Sequence, residues 1–150
     1  MSSKLKSTQI QARLGSNQQV LVQADEHELI IDQPKAAGGD DQGPTPLQMM
    51  FAALAGCIGT IGRLVAMQEK ITLRDMHMRI SGDLDVMVLL GRNTEDRAGF
   101  QSICIEVDVD ADLTDEEKLA FLHKVESRCP VSDNLAATTP IELSLARFDQ

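Results

Sequence analysis

Residues 43–62 read GPTPLQMMFAALAGCIGTIG, and this stretch decides which fold the chain can adopt. It opens on Thr45 and Pro46, a typical helix start in which the threonine caps the first turn and the proline takes the first helical position. We predict a helix from Pro46 to about Glu69. Because residues 47–62 carry no charge and are apolar on every side, we expect the helix to be buried on every side.

Complete burial of this helix needs more cover than one chain of 150 residues usually supplies. Small residues would let a second helix approach closely along one side: Ala52, Ala55, Gly56, Gly59 and Gly62. Dimerisation is therefore expected, and a monomer whose sheet wraps around the helix is the alternative. We expect no membrane span, because residues 47–62 are too few and too weakly apolar.

Short segments with strand-like patterns lie on both sides of the helix in the sequence. Before it, three strands joined by tight turns predict an antiparallel meander: residues 4–13, 19–24 and 28–32. After it, alternation of apolar and polar residues predicts two more strands around a hairpin loop: residues 75–85 and 102–110. In the last of these, isoleucines and valines face one way, while Cys104 and acidic residues face the other.

Residues 112–128 have the pattern of an amphipathic helix. Thr114 and Glu117 have the spacing of a capping box, and Leu119 is expected on the apolar side. Residues 130–137 predict a short second helix, with Cys129 as its N-cap.

The chain ends in a predicted strand at residues 141–148, with Ile141, Leu143 and Leu145 facing inward. The fold class is therefore α+β, a mostly antiparallel sheet around one long central helix. A single domain over residues 1–150 is expected.

Composition and charge narrow the classes of partner. The formal net charge is −9, and no basic stripe offsets it, so nucleic acid and anionic membrane surfaces are not expected partners. Three cysteines and a polar N-terminus without an apolar signal region favour a reducing compartment, and we expect a cytoplasmic protein. No CxxC, HxxxH, GxGxxG or Walker pattern occurs, so neither a metal nor a cofactor is expected.

The three cysteines differ in their sequence surroundings. Cys57 lies in the middle of the apolar helix, where a cysteine is usually a small core residue, and a reactive thiolate there would need a cation from another part of the fold. Cys129 follows Arg128 and precedes a helix start, and both features favour a thiolate. Cys104 lies on an acidic face and is expected to be a poor nucleophile.

Two motifs resemble those of the OsmC/Ohr family. Residues 38–46, GGDDQGPTP, lead into AALAGC at residues 52–57, as the family's glycine-rich loop and proline lead into a central helix with its first cysteine. Residues 129–132, CPVS, are similar to the second cysteine motif, and the two cysteines are 72 positions apart. The resemblance implies the OsmC/Ohr-like fold as an intertwined homodimer, in which sheets from both chains enclose the central helices.

The resemblance also implies a chemistry. Cys57 would be the peroxidatic thiol that attacks an organic hydroperoxide, and Cys129 would resolve the resulting sulfenic acid to a disulfide. An external dithiol would then reduce the pair.

The chain departs from the family at the start of the helix. Members that reduce organic hydroperoxides carry an acidic residue just after the helix-starting proline, and that residue holds an arginine near the thiol. Here Leu47 and Gln48 follow the proline. Gln48 can still accept a hydrogen bond from a guanidinium, and Arg13 is the candidate arginine. Arg63 is predicted to point to a different helix face from Cys57.

Two alternatives to a peroxidase therefore stay open. One is a redox-sensing or apolar-ligand-binding module with little turnover. The other is a structural dimer with inert cysteines, which would be favoured if Cys57 and Cys129 could not approach to bridging distance.

Overall fold

The structure is a computed structural model that describes residues 4–148. The chain divides into two compact units, Met1–Ala52 and Ala53–Gln150. The long helix begins in the first unit and continues in the second.

The first unit contains the predicted antiparallel meander. Its strands are β1 (Gln11–Leu14), β2 (Val20–Ala24) and β3 (His27–Ile31), in the sheet order β1-β2-β3. The two turns place Asn17 and Asp25 at positive φ, a conformation that these short polar residues tolerate.

The first strand is shorter than predicted. We expected residues 4–13, but β1 begins at Gln11, which pairs with Gln23 of β2. Beyond this pair β2 continues for only one residue, to Ala24, so residues 4–9 lie past its end and have no neighbouring strand in the sheet.

A structured loop leads from β3 to the helix. It includes one turn of 3-10 helix (Lys35–Ala37), and the backbone returns close to β3 at Gly43, where a Cβ atom would lie 2.0 Å from the Ile30 carbonyl oxygen. Only glycine fits at this position, because the obstructing atom belongs to the backbone.

The predicted central helix is confirmed as α1 (Pro46–Glu69). Thr45 and Gln48 cap it reciprocally: the Gln48 N–H donates to Thr45 Oγ1 at 3.3 Å, and the Thr45 N–H donates to Gln48 Oε1 at 2.9 Å. This is the capping-box arrangement, with glutamine in the place of the more common glutamate.

The helix α1 is buried on one side only. Leu54, Ile58 and Val65 are buried, whereas another side stays exposed in this single chain. The expectation of burial on every side is therefore not met within one chain. By length and composition α1 is the one helix in the described part of the chain that could cross a membrane, but its buried side makes it a core helix here.

The second unit is built on a long β-hairpin. The strands β4 (Leu73–Asp83) and β5 (Ser102–Ala111) pair antiparallel, and the inner face carries the predicted apolar residues, with Met78 opposite Val107 and Ile80 opposite Ile105. A short helix α2 (Val86–Leu89) lies in the connection, and the Asp85 side chain caps it.

Two helices follow the hairpin. The predicted capping box of Thr114 and Glu117 starts α3 (Asp115–Glu126), and the helix buries Phe121 and Val125. Leu119 was expected on the apolar side but is 55% exposed, because it lies at the edge of the buried face. The second helix is α4 (Pro130–Ala136), capped by Cys129 as predicted.

The predicted last strand is wrong for this single chain. Residues 141–148 form no strand, and Ile141, Leu143 and Leu145 are exposed by 91%, 99% and 98% instead of facing inward. A strand needs a partner for its backbone groups, and among residues 4–148 no neighbouring strand pairs with this segment.

Candidate thiol site

Cys57 lies in the fourth turn of α1, where the apolar sequence forms a continuous helix. Its neighbours Leu54 and Ile58 are buried, and Cys57 itself is partly buried against the same core. A thiol at this position is held rigidly by packing, yet part of its surface is accessible.

Cys129 lies at the break between α3 and α4. Its backbone has extended dihedral angles, and Pro130 at the first position of α4 prevents α3 from continuing through it. The Cys129 Sγ atom takes the place of the usual cap oxygen and accepts the Ser132 N–H at 3.4 Å. The side chain is 1% exposed, so packing and capping together fix the position of the sulfur.

Folding brings these two cysteines into direct contact. The Cys129 thiol donates a hydrogen bond to Cys57 Sγ, and the two sulfur atoms are 2.7 Å apart. Both thiols are free. A disulfide bond of about 2.05 Å is within reach of such a pair. A structural dimer with inert cysteines would have been favoured if the two cysteines could not reach bridging distance, and that condition is not met.

The sequence favoured a thiolate at Cys129, but the surroundings of this thiol in the structure raise its pKa. Burial raises the pKa of the Cys129 thiol, and the hydrogen bond to Cys57 raises it further; the N–H groups of Ser132 and Val131 lower it but do not outweigh these effects. Arg128 was expected to favour the thiolate, but its guanidinium donates to Gln68 Oε1 at 2.8 Å. Cys129 is therefore harder to deprotonate than an ordinary cysteine thiol.

The arginines near the cysteines in sequence bind other groups. Arg63 donates to the Leu73 carbonyl oxygen at 3.3 Å, which agrees with its predicted position on a different helix face from Cys57. Within the described residues of the second unit, no guanidinium donates a hydrogen bond to either sulfur.

Gln48 and Arg13, the other two predicted site residues, belong to the first unit. Gln48 is exposed in the first turn of α1, where its side-chain oxygen accepts the Thr45 N–H. Arg13 is exposed on β1, opposite Leu21 of β2. Their roles at the thiols stay predictions.

Cys104 lies apart from the pair. It is exposed on the outer face of β5, opposite Ser81 of β4 and beside Glu106, as the alternation of the strand predicted. In residues 4–148 no group of three or more histidine, cysteine or acidic side chains is placed to hold a metal ion.

Sequence reasoning missed two features of the site. One is the backbone N–H of Ser132, which binds the Cys129 sulfur, and the other is Gln68, whose side-chain oxygen accepts a hydrogen bond from the Arg128 guanidinium. The first could have been found, because an N-cap side chain usually accepts from a residue two or three positions later. The second could not, since Gln68 and Arg128 are brought together only by packing α1 against the end of α3.

Comparisons with known proteins agree with this fold. The family model described as OsmC-like protein matches residues 38–144. The OsmC-like protein from Mycoplasma pneumoniae has a similar structure, with a TM-score of 0.76, 23% identity, and coverage of 87% of this chain and 88% of that one. No curated protein sequence matches.

Two further similar structures are those of organic hydroperoxide resistance proteins. The organic hydroperoxide resistance protein OsmC from Legionella pneumophila is 25% identical, with a TM-score of 0.66 and coverage of 89% of this chain and 91% of that one. OhrB, the organic hydroperoxide resistance protein of Bacillus subtilis, is 22% identical, with a TM-score of 0.57 and coverage of 85% and 89%. Because the family model covers well over half of the chain, and the α+β fold agrees with these structures, the chain belongs to the OsmC-like family.

Proposed function

We propose that this protein is a thiol-dependent peroxidase that reduces organic hydroperoxides through Cys57 and Cys129, in defence against oxidative or osmotic stress. The observation that carries the proposal is the contact between the two sulfur atoms, 2.7 Å apart although the residues lie 72 positions apart in sequence. The hydroperoxide resistance proteins among its structural relatives support it.

In this proposal the two cysteines have distinct roles. The Cys57 thiolate attacks the terminal oxygen of the hydroperoxide and the O–O bond breaks. Cys57 becomes a sulfenic acid, and the alkoxide that leaves takes a proton from water to become the alcohol. Cys129 then attacks Cys57 Sγ, its proton leaves with the hydroxide as water, and a disulfide forms. An external dithiol returns both thiols and is itself oxidised to a disulfide.

The burial pattern supports this division of roles. The raised pKa of Cys129 disfavours its thiolate, so Cys129 does not suit the first attack on the peroxide, whereas its direct contact with Cys57 suits the resolving step. Cys57 accepts the Cys129 hydrogen bond and is the more accessible sulfur, so it suits the first attack. Arg13 and Gln48 remain the candidates to supply and orient a guanidinium for Cys57.

A homodimer and a cytoplasmic location belong to the same proposal. The exposed side of α1 carries Gly56, Thr60, Arg63 and Met67 at helical spacing, and Met67 is 70% exposed. A second α1 could pack closely on this side because Gly56 has no atom within 4 Å of where a Cβ would lie. A reducing compartment keeps the thiol pair ready for peroxide.

The test is peroxide consumption by the purified protein. We expect cumene hydroperoxide to be consumed over many turnovers with dithiothreitol as reductant, and Cys57→Ser to abolish this consumption. Cys129→Ser should still oxidise once at Cys57 but form no intramolecular disulfide. Cys104→Ser is the matched control and should behave as the wild type, since Cys104 lies outside the pair. A wild-type rate equal to that of Cys57→Ser would refute the proposal.

A redox sensor with little turnover is the second candidate, and the start of α1 favours it. Leu47 and Gln48 are uncharged, and the Gln48 oxygen is already engaged by the Thr45 N–H. A sensor would form one Cys57–Cys129 disulfide per chain without sustained consumption. The same assay separates the two, because only the peroxidase consumes many equivalents of hydroperoxide per chain.

A further inference from the structure

We propose that the external reductant attacks the sulfur of Cys57 and not that of Cys129, so that its mixed disulfide forms at Cys57. This inference rests on the proposed peroxidase function and goes beyond it, because the formation of a disulfide leaves either sulfur open to attack in principle. The choice has a chemical consequence: Cys57 would be both the first residue oxidised and the last one reduced.

Access to the two sulfurs is unequal. Cys129 is 1% exposed, enclosed by the core residues of α1 and α3 and by the first turn of α4. Cys57 is only partly buried. A thiolate must contact the sulfur that it attacks, so within one chain the Cys129 sulfur is shielded while Cys57 keeps part of its surface accessible.

The geometry of resolution points to the same sulfur. When Cys129 displaces hydroxide from the Cys57 sulfenic acid, the leaving oxygen lies on the side of Cys57 Sγ opposite Cys129. The space that this oxygen vacates is where a new nucleophile must stand to break the Cys57–Cys129 bond in line. The approach that admits the hydroperoxide therefore also admits the reductant.

The reduction step balances on these two residues. A thiolate of the reductant bonds to Cys57 Sγ, the Cys57–Cys129 bond breaks, and Cys129 leaves as a thiolate beside the Ser132 N–H, 3.4 Å away in the reduced protein. Cys129 then takes up a proton. The second thiol of the reductant attacks its own sulfur in the mixed disulfide, which releases the Cys57 thiolate and a cyclic disulfide.

The leaving-group ability of the two sulfurs favours attack on Cys129 instead. Burial raises the pKa of Cys129, and a sulfur with a higher pKa is the poorer leaving group, which alone would favour attack on Cys129 with Cys57 leaving. A difference in leaving-group ability changes the rate of thiolate attack gradually, whereas enclosure of the Cys129 sulfur prevents the reductant from touching it. Access therefore decides the site of attack.

The experiment traps the mixed disulfide in the Cys104→Ser variant, which removes the exposed third thiol that could exchange with it. One equivalent of cumene hydroperoxide makes the intramolecular disulfide, and excess 2-mercaptoethanol, which has only one thiol, then attacks it. Early samples are quenched with acid and N-ethylmaleimide, and peptide mass spectrometry locates both labels.

We expect mercaptoethanol on Cys57 and maleimide on Cys129, with Cys57 favoured by roughly tenfold or more in the earliest samples. Mercaptoethanol on Cys129, or equal labelling of both cysteines, would overturn the inference while leaving the peroxidase proposal intact. Failure to form the Cys57–Cys129 disulfide at all would instead overturn the proposed function, and this inference with it.

Discussion

Asp32 is a single residue that organises the loop before α1. It is 1% exposed, and its carboxylate accepts the N–H groups of Gln33 at 2.7 Å, Gln42 at 3.0 Å and Asp40 at 3.3 Å. Burial raises the pKa of Asp32, but these hydrogen bonds and one from the Gln19 side chain outweigh burial and lower it below the ordinary value of 3.8. The loop is therefore held by a charged group at its centre.

A pH-dependent contribution to stability follows from the lowered pKa of Asp32. A carboxyl with a lowered pKa in the folded state stabilises that state above the unfolded pKa and loses the contribution as pH falls through the folded pKa. We expect Asp32→Asn to lower the stability of the protein at pH 7, and its difference from the wild type to shrink below pH 3.8.

Urea unfolding followed by circular dichroism across this pH range measures the effect of Asp32→Asn. Asp41→Asn is the matched control, because Asp41 is an exposed carboxylate in the same loop, and it should differ little from the wild type at any pH. A difference between wild type and Asp32→Asn that stays constant from pH 7 down to pH 3 would contradict the assignment.

Among the elements, the junction of α3 and α4 positions the buried thiol. The capping box of Thr114 and Glu117 fixes the start of α3, and Phe121 and Val125 anchor the helix in the core. The turn after α3 is closed by the Cys129 N–H, which donates to the Glu126 carbonyl oxygen at 3.0 Å. The position of the Cys129 sulfur thus depends on how α3 is capped and packed.

Removal of the α3 cap tests how this helix is held. Thr114→Ala leaves the Glu117 N–H without its acceptor and should lower the free energy of unfolding by about 1 kcal/mol. Chemical denaturation measures this change. Thr94→Ala, an exposed threonine in the hairpin connection, should cost clearly less; equal losses for both variants would show that the cap does not stabilise α3.

At the scale of the whole molecule, several surfaces with exposed apolar side chains lack cover in a single chain. The exposed side of α1 and the segment 141–148 are both examples, and a second copy is the partner in the proposed homodimer. The thiol pair itself is complete within one chain, so the contact between the sulfurs does not depend on the dimer.

A bulky substitution on the exposed side of α1 tests dimerisation without disturbing the folding of each chain. A Cβ atom at Gly56 would meet no atom within 4 Å in one chain, and Gly56 is exposed there, so we expect each Gly56→Leu chain to fold while close packing of two α1 helices is lost. We expect the dimer dissociation constant to rise by roughly tenfold or more in analytical ultracentrifugation, which corresponds to about 1.4 kcal/mol. Ala120→Leu, a similar change on exposed α3, is the control.

Elements with a strong local signal were predicted from the sequence to within one to three residues. The bounds of α1, β2, β3 and β5, and both capping residues of α3, follow from periodicity and cap chemistry, which act between near neighbours. Prediction failed for the start of β1 and for residues 141–148. Both segments have the pattern of a strand, but a strand forms only where a neighbouring strand is available, and the pattern does not reveal that neighbour.

By itself, the sequence determined the long apolar helix, the strand order and the two cysteine motifs, because each is encoded in residues that are close along the chain. Only the tertiary structure decided that Cys57 and Cys129 touch, that Cys129 is the enclosed thiol with a raised pKa, and that Arg128 binds Gln68. These outcomes depend on the packing of α1 against α3 and α4. That packing removes water from Cys129 and brings together side chains that lie 60 or more positions apart in the sequence.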